Sequence, residues 1–233
     1  MIGLILKNIF TMNIIISAIF FGGCAKSEVR VETTEIAETV NSEETVNDTD
    51  SETEMTTGDE ETWKLLGEEI RKLDDIPDID EAAIYVNGQV VTKKEIEIEK
   101  INAQYLKNFS LSERLQTLFR NKICKAEAIH LNIEPSQESI DTYLKQTLMT
   151  LNEKAVGTEV ILAYLEGLGV TTEEYIVMLE KTAYDMYQRE ALRAYVETSG
   201  KGKSYEQYVD ELAENAEIKV SAPEYKDFLQ FCG

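Results

Sequence analysis

The sequence predicts a mainly helical domain that opens with a small β-hairpin and is closed by a short C-terminal strand pairing with that hairpin. A signal peptide and a disordered acidic linker precede it. Three observations predict this class. The stretch 82–105 reads as strand, tight turn, short strand and capped helix. From there to about residue 216, apolar residues recur at helical spacing. An apolar leader and an acid-rich run come before both.

The leader has one early positive charge, Lys7, and an almost unbroken apolar run over 9–21. That run is shorter than the roughly 20 residues needed to span a bilayer, and it matches a secretory h-region. It ends in Phe21-Gly22-Gly23-Cys24, small residues before a cysteine, similar to the lipobox of bacterial lipoproteins. The expectation is a signal peptide over 1–23, with Cys24 as the lipid-attachment residue and mature N-terminus. The protein would then be a cell-membrane lipoprotein on the extracytoplasmic face. An uncleaved N-terminal anchor is the alternative. One acyl chain binds a membrane only marginally, so stable tethering needs more than one.

Over 27–61 the chain holds thirteen acidic residues and one basic residue, Arg30, with no aromatic. Such a segment cannot bury enough apolar surface to offset the entropy of ordering, so 24–61 reads as a disordered linker. Its r.m.s. reach as a coil is roughly 30–36 Å. The whole chain carries −21 and the remaining body −11. That charge excludes a nucleic-acid partner, and it keeps the body off an anionic lipid surface.

A short helix and connector fill 62–78, with Trp63, Leu66, Ile70 and Leu73 on one stripe and a stop before Pro77. The main domain, 79–220, starts with the β-favouring run 83–86. Asn87-Gly88 follows, the strongest short-range signal for a two-residue hairpin, and then Gln89-Val90-Val91. Thr92 with Glu95 forms a capping box for the first helix, and Ser110 with Glu113 for the second. Ser136 caps a third helix, which carries Ile140, Tyr143, Leu144, Thr147 and Leu151 on one face. A shorter helix ends at Gly169. Thr171 with Glu174 starts the longest helix, and Ser204 with Gln207 the last. Segment 217–220 alternates like a strand, and as the remaining strand candidate it should pair with the hairpin. The 221–233 tail has a weak apolar stripe and no assigned place.

Little in the chain could carry covalent chemistry. His130 is the single histidine and falls at an expected helix end. Cys124 reads as a buried small hydrophobe, with a Cys124–Cys232 disulfide as the alternative. The carboxylates read as solvated faces, and there is neither a glycine-rich phosphate loop nor metal-ligand spacing. No catalytic residue, metal or cofactor is expected. The notable surface is apolar. Tyr143, Met149, Tyr164, Met178 and Met186 lie on the third, fourth and longest helices, and methionine and tyrosine make adaptable contact surfaces. These five are the candidate client-binding residues, with ordinary core packing as the competing reading.

Four blocks carry a resemblance. They are VNGQVVTKKEIE at 86–97, KAEAIHLNIEPSQESIDTYL at 125–144, LEGLGVTTEEYIVMLEK at 165–181 and YEQYVDELAENAEIKV at 205–220. Their order is similar to the chaperone module of the SurA/PrsA family of extracytoplasmic foldases, with Asn132 where glycine is usual. The resemblance implies binding of unfolded or extended secreted polypeptides and a final strand that returns to the first hairpin. PrsA-like foldases carry a parvulin domain between the long and last helices, where this chain has only 199–203. A membrane-anchored chaperone-like protein without prolyl isomerase activity is therefore the expected function. A single-partner envelope adaptor on the same fold is the alternative, and a residual isomerase a distant third. If Cys24 is acylated, Cys24→Ala leaves the precursor uncleaved at this site and unlabelled by a fatty-acid probe; normal processing of that variant would rule the anchor out.

Overall fold

A computed structural model describes residues 59–199 and 202–231. The leader, Cys24, most of the acidic linker and Cys232 lie outside the described residues. Within them the chain is mainly helical with one small antiparallel sheet. No helix among the described residues is long and apolar enough to cross a membrane.

Helix α1, Glu60–Lys72, begins inside the stretch assigned to the linker. Asp59 caps it by accepting from the Thr62 amide at 2.9 Å. Glu60 and Glu61 sit at its positive end, and Arg71 and Lys72 at its negative end. The helix thus starts two residues before 62. A 3₁₀ turn, Leu73–Asp75, and an extended Ile76 end the helix ahead of Pro77.

Strands β1, Ala82–Val86, and β2, Gln89–Thr92, form the expected hairpin. Asn87 (φ 48°) and Gly88 (φ 78°) both adopt positive φ in its turn, as a type I′ loop requires. Strand β3, Ile218–Val220, pairs antiparallel with β1, matching Ile84 with Val220 and Val86 with Ile218. The sheet order is β2-β1-β3, which places the hairpin's first strand in the centre. Asn87 also fastens the C-terminal strand. Its amide donates to the Glu217 carbonyl at 2.8 Å, and its Oδ1 accepts from the Glu217 amide at 2.7 Å.

The other helices are α2 (Lys93–Tyr105), α3 (Leu111–His130), α4 (Gln137–Asn152), α5 (Glu159–Leu168), α6 (Thr172–Thr198) and α7 (Tyr205–Glu214). Reciprocal capping boxes start α2, α3, α6 and α7 at the expected Thr92, Ser110, Thr171 and Ser204. At the end of α3, Asn132 takes φ 54°. The Ile133 amide there donates back to the Ala128 carbonyl, and the Asn132 amide to Ile129. This is a Schellman closure, and asparagine is the residue after glycine that best tolerates it. Gly169 (φ 72°) closes α5 in the same way.

Three apolar clusters hold these elements together. The first joins α1, α4, α5 and the N-terminal half of α6 around Trp63, Leu66, Ile140, Leu151, Ile161 and Leu179. The second packs the sheet on α2 and α3 through Ile84, Val86, Val91, Ile96, Leu118 and Phe119. The third gathers Cys124, Leu192, Val196, Tyr205 and Val209 where α3, α6 and α7 meet. Cys124 is buried there, its Sγ 3.4 Å from the Tyr205 hydroxyl. The tail forms a 3₁₀ segment, Pro223–Phe231, whose Tyr225 and Phe228 cover the second cluster.

Helices α1 and α5 meet backbone against backbone. A Cβ built on Gly167 would lie 2.0 Å from the Lys64 carbonyl oxygen, and one on Gly67 2.4 Å from that of Tyr164. Neither position tolerates a side chain unless the helices separate. Overpacking of this kind costs about 1–3 kcal/mol or more, which outweighs the gain of about 1 kcal/mol that alanine brings to a helix interior. Gly167→Ala and Gly67→Ala should each lower the thermal midpoint, by roughly 4–10 °C. An unchanged melt would mean that the two backbones do not touch.

Candidate functional site

The site is a groove between the first and second clusters, with a free volume of about 570 Å³. Helices α1 and α5 supply Ile70, Tyr164 and Leu168 on one side, while Val90 of β2 and Ile98 of α2 lie on the other. Met178 and Leu179 of α6 complete the apolar lining. Ile70 and Leu179 point inward because their helices already bury the adjacent stripe. Ile70 continues Trp63 and Leu66 on α1, and Leu179 continues Tyr175 on α6.

Ion pairs rim the groove. Lys94 pairs with Asp74, tying α2 to the turn after α1. Lys122 of α3 binds Glu95 of α2 at 2.6 Å. The Tyr175 hydroxyl, on the groove wall, is buried with no hydrogen-bond partner among the described residues. Burial raises that hydroxyl well above the ordinary tyrosine value, and pushes Tyr164 up to about 12. Both phenols therefore stay neutral near neutral pH and act as hydrogen-bonding apolar rings. Tyr164 also meets Trp63 edge to face at 6.4 Å.

The five candidate residues do not converge. Tyr164 and Met178 line the groove, and Met178 is 53% exposed. Tyr143 is only 7% exposed and packs edge to face on Tyr187 at 6.1 Å, so it belongs to the core. Met186 is half-buried against the first cluster. Met149 is 51% exposed on α4 and does not line the groove. Helical spacing placed these side chains on their own helices. It carries no information about which face a neighbouring helix covers, and that decided the outcome.

A buried charge was missed altogether. Glu99 and Arg114 are 3% and 5% exposed and lie 3.8 Å apart between α2 and α3. Arg114 also donates to the Leu106 carbonyl at 3.1 Å and to Asn108 at 2.9 Å. Asn102, part of the groove wall, reaches Glu99 at 3.4 Å, so this buried set backs the site. The run Glu95-Ile96-Glu97-Ile98-Glu99 gives no hint that its third carboxylate is inside, since three acids at every second position read as solvated. His130 is exposed at the end of α3, 3.4 Å from Glu127. Among the described residues no group of three His, Cys, Asp or Glu is placed to hold a metal.

Burial pushes the Glu99 carboxyl up to about 7, against the opposing pull of Arg114. A carboxyl raised in the folded state holds its proton more tightly folded than unfolded. It therefore favours folding below its ordinary value of 4.5, and that contribution is lost as pH rises to about 7. Glu99→Gln should remove a slope approaching about 1.4 kcal/mol per pH unit at its steepest within that window. Parallel stability–pH profiles for the two proteins would show that Glu99 does not titrate there.

In comparisons with known proteins, no family model matches the chain, and no curated protein or solved structure matches it at a significant level.

Proposed function

We propose that the protein is a membrane-anchored, extracytoplasmic, chaperone-like protein that holds extended apolar stretches of other polypeptides and catalyses no prolyl isomerisation. The groove carries this reading. Its lining sets an apolar floor among charged and polar side chains, and it contains an exposed methionine, the side chain best able to adapt to varied partners. Its length is bordered by an edge strand. Val86 and Gln89 close the two-residue turn as a hydrogen-bonded pair. By the alternation of antiparallel ladders, Val90 then directs its N–H and C=O away from β1. Val90 is 39% exposed and lines the groove, so a bound segment could add to that edge while placing side chains on Ile70, Leu168 and Met178. The resemblance of four sequence blocks to SurA/PrsA foldases points the same way, and the short 199–203 connection leaves no room for an isomerase domain. In this reading acyl chains on Cys24 hold the body at the membrane, and the acidic stretch keeps it off the lipid surface.

The test is suppression of aggregation of an unfolded model protein, run beside a proline cis/trans assay on a short peptide. Uncatalysed isomerisation takes tens of seconds or longer, so weak catalysis would be visible. The protein should protect at a few-fold excess and leave the isomerisation rate unchanged. Met178→Gln should weaken protection several-fold with little change in the melt, whereas Met149→Gln, outside the groove, should not. Absence of protection would make the single-partner adaptor the better reading.

A further inference from the structure

A small basic hollow adjoins the groove. In it Asn121, Lys122 and Lys125 of α3 face Lys181, Asp185 and Arg189 of α6, around about 70 Å³ of free volume. The three α6 residues stand four apart and so share one helix face. Two of the four cations are neutralised: Lys122 binds Glu95 at 2.6 Å, and Lys125 binds Asp185 at 2.7 Å. Lys181 and Arg189 make no ion pair among the described residues. The Asn121 Nδ2 donor is buried with no acceptor. The charged groups left without a partner are thus both cations, and the hollow has an excess of two positive charges on a chain whose net charge is −21. Lys181 is exposed and Arg189 half-buried, so both can reach an arriving acceptor, while the buried Asn121 donor costs free energy until one is found. The available volume suits one carboxylate better than a bulkier anion.

Glu95, Lys122, Lys181 and Thr182 line the hollow and the groove alike, so the two are continuous. We propose that the groove's occupant is an extended polypeptide segment with an apolar side chain followed by an acidic one. The apolar side chain sits on Met178 and Leu179. The Asp or Glu carboxylate enters the hollow, where it accepts from Lys181, Arg189 and the Asn121 amide. This rests on the polypeptide-binding reading above and names the class of segment selected. The carboxylate supplies specificity as well as attraction, because a lysine or a like-sized amide at that position leaves the two cations unpaired.

The experiment measures fluorescence anisotropy of two labelled peptides with blocked termini and the same apolar core, one with a flanking Glu and the other with Gln. With the purified protein at low salt, the Glu peptide should bind at least about tenfold more tightly, as one charge-assisted contact set provides. That advantage should shrink as salt is raised. In Lys181→Gln/Arg189→Gln the Glu peptide should fall to the affinity of the Gln peptide, whose own affinity and the protein's melt stay unchanged. Equal binding of both peptides to the wild-type protein overturns the proposal while leaving polypeptide binding intact. A Glu advantage that survives the double substitution also overturns it, since the carboxylate must then sit elsewhere. Binding of neither peptide removes the polypeptide-binding reading itself.

Discussion

The approach of two helix backbones at Gly67 and Gly167 is the constraint on which the site depends. Interior glycines weaken a helix in isolation, by about 1 kcal/mol each relative to alanine. Here that loss is offset because α1 and α5 come close enough to bring Trp63, Leu66 and Ile70 fully onto Tyr164 and Leu168. The same close approach sets one wall of the groove, since Ile70, Tyr164 and Leu168 all line it. A helix that composition marks as a short appendage is thereby part of the first cluster, and Lys64 pairs with Glu166 across the crossing.

The opposite wall depends on a different kind of contact. Strand β1 is buried and bonded on both sides, so β2 is left as an edge with Val90 at the groove. Polar chemistry separates the two walls: Lys94–Asp74 and Lys122–Glu95 bridge helices at the rim, and the buried Glu99–Arg114 pair lies behind. Replacing a buried pair of this kind by apolar residues is often neutral or stabilising. It is therefore weak evidence for stability, and it fixes the separation of α2 from α3.

What the sequence revealed was local. Capping boxes at Thr92, Ser110, Thr171 and Ser204 span four residues each, so their chemistry is complete within one short window. The Asn87-Gly88 turn is legible for the same reason. The strand at 218–220 showed in the alternation of 217–220, and its pairing followed by elimination because a lone hairpin is marginal. What escaped depends on partners distant in the chain. Gly67 and Gly167 explain each other only when brought together, and Glu99 looks like its exposed neighbours until α3 covers it. Tyr143 lies on the apolar stripe of its helix and goes inside, whereas Met178 lies beside the stripe of its own and reaches the groove through tertiary packing. The second role of Asn87 and the place of Tyr225 and Phe228 were hidden likewise.

The pairing of β3 with β1 also has a consequence in time. Strand β1 ends at Val86 and β3 begins at Ile218, so about 130 residues separate the partners. At a synthesis rate of about 5–20 residues per second, β1 waits roughly 7–26 s before its second edge can be closed. Helix–coil and hairpin events finish in microseconds. The helices and the β1–β2 hairpin can therefore form while the growing chain still presents an open strand edge bearing Ile84 and Val86. Closing so long a loop makes the β1–β3 pairing a late step. Until β3 pairs, β1 remains an open, association-prone edge, and the pairing covers it.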